Sequence, residues 1–193
     1  MKKLLLALVL TLSFQTLTKA DDIKDFQIEE VSIGDSLLKH LNKNQIESSS
    51  YPIVLGSNEY KQYQKVALRK KSNRYEDVFL YYKTGELNNI VAVAGRNYFE
   101  DNIDECYSLQ KTIVKELESI LTKGKKDNKG KIKNSQFPDG DSYKYDISFY
   151  FTDGSLVHTA CYDFSIKDTE TRDRLSIGVY SKQYLEFVWS LKN

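Results

Sequence analysis

Histidine is nearly absent from this chain of 193 residues, which carries two, His40 and His158. A zinc site would have to gather both from distant elements or fall back on carboxylates and thiols, so no metal centre is expected. Also missing are the short patterns of common chemistries: a G-x-S-x-G elbow, a Walker loop, a G-x-G-x-x-G after a strand, an H-E-x-x-H. No cofactor is expected either. Beyond residue 20 no run is apolar enough to cross a bilayer, so an integral membrane protein is not the expectation. An excess of positive charge is lacking too, the formal net charge being +1, which argues against a general nucleic-acid binder.

The first twenty residues, MKKLLLALVLTLSFQTLTKA, read as an export address. Lys2 and Lys3 form a positive start, Leu4 to Phe14 an apolar run, and Thr18-Lys19-Ala20 approximates the small-x-small cleavage pattern. An apolar run of eleven residues is too short for roughly 30 Å of hydrocarbon, so this segment is not expected to be an anchor. No cysteine follows the run, and a lipid-modified amino terminus is therefore not expected. The expectation is a signal peptide over 1–20 and a single mature domain over 21–193, working in the periplasm or as a secreted protein. Its 173 residues suffice to bury roughly 70% of their unfolded-state surface. With Lys2, Lys3 and Lys19 removed, 25 basic side chains face 27 acidic ones, about −2.

Cysteine is equally scarce, and both copies, Cys106 and Cys161, fall in the mature region. An even count after an export signal favours one disulfide, closing a loop of about 55 residues. Two buried thiols are the alternative, since free cysteine is among the most buried residue types.

What is abundant is tyrosine, fourteen in all, together with β-forming runs. Ser32-Ile33-Gly34-Asp35 before SLLKHL predicts a capped helix over about 33–42. QKVALRK, EDVFLYYK and NIVAVAGRNYF, within 64–100, predict a three-stranded meander. Ile103, Cys106, Gln110, Ile113, Val114, Leu117, Ile120 and Leu121 recur at three- and four-residue intervals, which predicts a helix over 103–123 with one stripe on a sheet and Asn102 as its cap. The glycine- and lysine-rich GKKDNKGKIKNSQFPDGDS then predicts a flexible lysine-rich loop near 123–142.

YKYDISFYFTDGSLVHTACYDFSI predicts a hairpin turning at Asp153-Gly154. Pairing Thr152 with Ser155 places Tyr143, Tyr145, Ile147, Phe149 and Phe151 on one face with Leu156, His158, Ala160, Tyr162 and Phe164, and sets Lys144 opposite Asp163. Cys161 then points away from that apolar face, although Cys106 lies on the buried stripe of its helix. Either a bulge shifts the register, or Cys161 sits where the helix crosses the sheet edge, or the bridge does not form. A strand over 174–180 and a short helix capped by Ser181 complete the chain. The predicted fold class is α+β: an antiparallel sheet of about six strands with helices packed on one face, in the order α-βββ-α-βββ-α.

His40, beside Lys39, reads as a surface residue, and His158 as a core histidine with one hydrogen-bond partner. The competing reading is a small periplasmic hydrolase using His158 and a nearby Asp such as Asp146 or Asp163. Asp139, Asp141 and Asp146 resemble a piece of a calcium loop, but the ligands through position 12 are absent. Tyrosine suits half-exposed binding faces, which marks Tyr81 and Tyr150. Lys125 and Lys126 offer salt-dependent attraction for an anionic surface. No aromatic is interleaved between Lys123 and Lys133, so base stacking is not provided for and nucleic acid is not an expected partner.

The segments DFQIEEVSIGDSLLKHL, DECYSLQKTIVKEL and TACYDFSI resemble a family of small exported bacterial proteins of unknown function, over essentially the whole mature region. The I-G-D-S opening is also similar to that of small envelope-assembly lipoproteins with helix-plus-sheet folds, without their lipid-attachment cysteine. Neither resemblance implies an activity or a catalytic residue. Export signal, tyrosine-rich strands and missing catalytic sets together predict a non-enzymatic protein of the bacterial cell envelope that binds an unknown envelope protein or ligand.

Overall fold

The β-branched and aromatic runs form eight strands among the described residues, which in this computed structural model are 23–55, 58–68, 74–100, 102–134, 141–165 and 172–191. The segment read as an export signal, 1–20, and Asp139 lie outside the described residues. The strands are β1 (Tyr51–Leu55), β2 (Asn58–Ala67), β3 (Asp77–Lys83), β4 (Ile90–Phe99), β5 (Lys125–Lys133), β6 (Tyr143–Tyr150), β7 (Leu156–Asp163) and β8 (Asp173–Tyr180). They make one antiparallel sheet in the order β1-β2-β3-β4-β8-β7-β6-β5. Two four-stranded meanders thus meet edge to edge at β4 and β8. Helix α1 spans Lys43–Ser49, α2 Ile103–Ile120 and α3 Lys182–Ser190. The α+β class stands, with eight strands in place of six.

Both extra strands were hidden by composition. β1 carries Pro52, which a sheet tolerates at an edge because no ladder hydrogen bond is lost there. β5 is the stretch expected to be a flexible loop, and instead it is the opposite edge strand, paired along its length with β6. Its lysines suit an edge, where charge discourages pairing with another chain. Lys126 pairs with Glu118 of α2 and Lys131 with Asp163, and Gly130 (φ 63°) absorbs a bulge after Asn128.

The helix expected over 33–42 is displaced. Gly34 adopts φ 89°, outside helical space, and the Asp35 carboxylate accepts from the Ser32 N–H without starting a helix. A single 3-10 turn, Leu37–Lys39, follows, and the true start lies at Asn42, where Asn42 and Gln45 form a reciprocal capping box for α1. Leu37, Leu41 and Ile46 are nevertheless all buried. α2 matches its predicted stripe, burying Cys106, Gln110, Val114 and Leu117, but Asn102 makes no cap; its amide donates to Glu105 Oε1 instead.

The hairpin register differs from the idealised one by a single residue. A three-residue loop, Thr152 to Gly154 with Gly154 at φ 86°, replaces the two-residue turn: the Phe151 N–H donates to Ser155 O and Tyr150 lies opposite Leu156. A one-residue slip exchanges the faces of the partner strand. Tyr145 now pairs with Cys161, Ile147 with Thr159 and Phe149 with Val157, so Cys161 faces α2. Cys106 and Cys161 form a disulfide with Cα atoms 5.9 Å apart, both fully buried beside Leu175. Gln110, one turn further along α2, donates to the carbonyls of Tyr145 and Thr159 and fixes the helix across β6 and β7. The expected Lys144–Asp163 pair is absent, Lys144 having Asp146 and Asp163 having Lys131.

The helices do not share one face. Residues 23–49 and α2 cover one side of the sheet around Val66, Leu80, Val93, Val157 and Val179. α3 packs on the other side, its Tyr184 and Phe187 against Tyr63, Tyr81 and Ala92. Being short, it covers only the end of that face near β2 to β4.

Candidate functional site: a cationic basin on the open sheet face

The face that α3 leaves open is built from cross-strand rows set by the register. One row runs Phe79, Ala94, Gly178, His158, Ser148 across β3, β4, β8, β7 and β6. The next runs Asp77, Arg96, Ser176, Ala160, Asp146, and the third Tyr98, Arg174, Tyr162, Lys144. Small residues occupy the centre, namely Ala94, Ser176, Gly178 and Ala160. Large aromatic and charged side chains rise around them. The Tyr180 ring folds back over Gly178, where any Cβ would fall inside the ring, and stacks on Tyr184 of α3 at 6.1 Å.

Three cations stand on one side of this basin. Arg96 lies over the Phe79 ring (4.5 Å to its centroid), and Lys65 approaches the same ring at 5.4 Å and Tyr51 at 4.7 Å. Arg174 lies 5.0 Å from the rings of both Tyr162 and Phe164. Such contacts hold guanidinium planes by cation–π attraction without neutralising their charge. Among the described residues none of the three has a carboxylate within ion-pairing distance. Asp77 lies opposite Arg96 in the ladder, but its carboxylate accepts from the Tyr98 hydroxyl at 2.7 Å. The Nε–H groups of Arg96 and Arg174 are buried and make no hydrogen bond with the chain.

Lys65 and Arg174 feel the neighbouring cations, whereas in Arg96 burial is outweighed by Tyr81 and Tyr98, which hold it above its ordinary value. Burial, and then the charges of Arg96 and Arg174, pull the Lys65 ammonium down to about 8. Burial and the charge of Arg96 lower Arg174 likewise. Like charges held together without a counter-ion oppose folding, and a face that retains them is arranged for something other than stability.

Across the basin, on β6 and β7, the charges are balanced. The Asp146 carboxylate is buried and bound by Lys144 and by His158 Nε2 at 3.2 Å, and Ser148 Oγ donates to its other oxygen at 3.4 Å. Serine, histidine and carboxylate are therefore neighbours, but the carboxylate, not the imidazole, sits in the middle. A nucleophile needs the imidazole as its base, and here Ser148 and His158 both spend their hydrogen bonds on Asp146. His40, expected at the surface, is largely buried and bonded through Nε2 to Asp35 Oδ2 at 3.2 Å.

Of the residues singled out in the sequence, His158, Tyr150 and Lys125 lie on this open face, Tyr81 lies on the same side beneath α3, and Lys126 lies on the α2 side. Lys125 and Tyr150 lie opposite each other on β5 and β6, but Tyr81 and His158 stand three strands apart, about 14 Å. Tyr81 is buried against Tyr184, their ring centroids 5.4 Å apart. Lys65, Arg96 and Arg174 carry no local signal of a shared site, because they lie on three different strands and their convergence exists only once β2, β3, β4 and β8 are in register. The one available signal was period-2 placement of cations within β-forming runs. Two grooves, of about 670 and 430 Å³, lie on the opposite, α2-covered side, and neither includes His158.

Among the described residues no cluster of three or more His, Cys, Asp or Glu could hold a metal ion, and no helix is long and apolar enough to cross a membrane. Comparison of the chain with protein-family models, with curated proteins and with solved structures finds no match.

Proposed function

We propose that the protein is an exported, non-enzymatic binding module of the bacterial cell envelope that holds an anionic ligand on the open face of its sheet. The observation that carries this reading is the trio Lys65, Arg96 and Arg174, unpaired by any carboxylate among the described residues and ringed by aromatic side chains. Charge-assisted hydrogen bonds from such a set contribute more than neutral ones and orient a ligand as well as attract it. The buried Cys106–Cys161 disulfide is compatible with an oxidising compartment, which supports export. The centrally bonded Asp146 speaks against the hydrolase alternative.

Thermal unfolding of the protein with added phosphate, sulfate or citrate at constant ionic strength tests the reading. A saturating anion is expected to raise the melting temperature by about 5 °C, through linkage of binding to folding. The double substitution Arg96→Gln/Arg174→Gln is expected to abolish that rise, and Lys125→Gln/Lys126→Gln on β5 to leave it intact. A rise that depends on the β5 lysines, or the absence of any rise, would overturn the assignment. Lys65→Met is a further check: it keeps the aliphatic stem against Tyr51 and Phe79 but removes a repelled charge. The unliganded variant should be at least as stable as the wild type at pH 7 while its response to anions falls.

A further inference from the structure

We propose that the group held by this basin is a phosphomonoester dianion rather than a carboxylate or a phosphodiester. The inference rests on the anion-binding reading above and concerns the charge and shape of what is bound. Arg96 and Arg174 are diagonal neighbours on β4 and β8, Arg96 lying opposite Ser176 and Arg174 opposite Tyr98, which puts their Cα atoms roughly 7–8 Å apart. Each guanidinium stands over aromatic rings, at 4.5 Å for Arg96 and 5.0 Å for Arg174, so it is restrained before a ligand arrives. Each has a buried Nε–H that no chain atom among the described residues satisfies, and a guanidinium can grip two oxygens of one oxyanion. Lys65 adds a third cation over the Phe79 ring that Arg96 also covers.

The balance of charge discriminates between ligands. A carboxylate offers two oxygens and one negative charge, enough for a single guanidinium, and would leave two cations desolvated and unpaired. A phosphodiester, also a monoanion, has the same shortfall. A phosphomonoester presents three terminal oxygens and two charges at neutral pH, its second ionisation lying near pH 6. It therefore gives each cation an oxygen and leaves the ester oxygen for a link toward solvent. The Lys65 ammonium provides an independent signature. The groups facing it are Tyr51 on β1, Asp77 and Tyr81 on β3, Arg96 on β4 and Arg174 on β8, and burial, and then the field of the two arginines, holds it near 8. A seated dianion reverses that field, so Lys65 takes up a proton when the ligand binds above pH 8.

The test is calorimetric titration of the full protein with glucose 6-phosphate, acetate and an oligothymidylate at pH 8.5, in two buffers of different ionisation enthalpy. Glucose 6-phosphate is expected to bind at least about tenfold more tightly than acetate or than each phosphodiester of the oligomer. Its binding should draw a proton from the buffer, and that uptake should vanish in Lys65→Met. Arg174→Gln should weaken it about tenfold or more. Phosphatidylcholine vesicles with and without phosphatidic acid form a second arm. Tighter binding to the phosphatidic acid vesicles identifies a lipid headgroup as the source of the phosphate, and tighter binding to glucose 6-phosphate a soluble ester; both support the proposal. Acetate or oligothymidylate binding as tightly as glucose 6-phosphate overturns the dianion assignment while leaving an anion site in place. No binding by any of the probes overturns the assignment together with the anion-binding reading beneath it.

Discussion

Removing the Cys106–Cys161 bridge is expected to lower the free energy of unfolding by up to roughly 4 kcal/mol, the value of the chain entropy released when a loop of 55 residues is no longer closed. For a domain of this size that corresponds to a fall in melting temperature of roughly 10 °C. The bridge ties the first turn of α2 to the middle of β7, and both sulfurs are fully buried against Leu175. The pair Cys106→Ala/Cys161→Ala avoids burying new hydroxyls, so it isolates the cross-link better than serine would. Gln110 still pins the next turn of α2 to β6 and β7, and the variant should therefore fold. Calorimetry of the wild type with and without reductant, beside the alanine pair, measures the effect. A loss below about 1 kcal/mol in both would mean that the cross-link restrains little.

The second large effect is expected at Asp146. Its carboxylate is 6% exposed; burial alone would raise its proton affinity, but the hydrogen bond and charge of His158, and then those of Lys144, outweigh burial and hold it well below the usual range. A carboxyl depressed on folding stabilises the native state fully above the unfolded value near 3.9 and progressively less as pH falls below it. Asp146→Asn is therefore expected to cost about 2 kcal/mol at pH 7, less than for a sealed ion pair because Lys144 keeps a quarter of its side-chain surface in water. The gap between wild type and variant should narrow as the pH drops from 4 toward 2. Denaturant unfolding at pH 7 and pH 3 reads both quantities. Equal stability at pH 7, or a gap independent of pH, would contradict this role for Asp146.

Local patterns foretold the elements with strong periodicity. α2 carries its apolar stripe in the linear order of residues, and β3, β4, β6, β7 and β8 are rich enough in β-branched and aromatic residues to announce themselves. Edge strands did not, because an edge is stabilised by pairing on one side only and can be made of lysine, asparagine and glycine, as β5 is. The disulfide puzzle had the same origin: one extra loop residue at Thr152 to Gly154 is a small local choice, yet it turns every side chain of β7 over. The basin was the least legible part. Lys65, Arg96 and Arg174 are separated by as many as 109 positions and become neighbours only through the β4–β8 junction, which joins the two ends of the chain's topology.

The central claim, that the open face gathers an anion at Arg96 and Arg174, is tested most directly by following backbone amide resonances as phosphate is titrated into the protein. The largest shifts are expected along Ala94 to Tyr98 of β4 and Arg174 to Gly178 of β8, saturating together with one affinity. Shifts confined to the β5 lysines, or spread evenly over the surface without saturation, would contradict it.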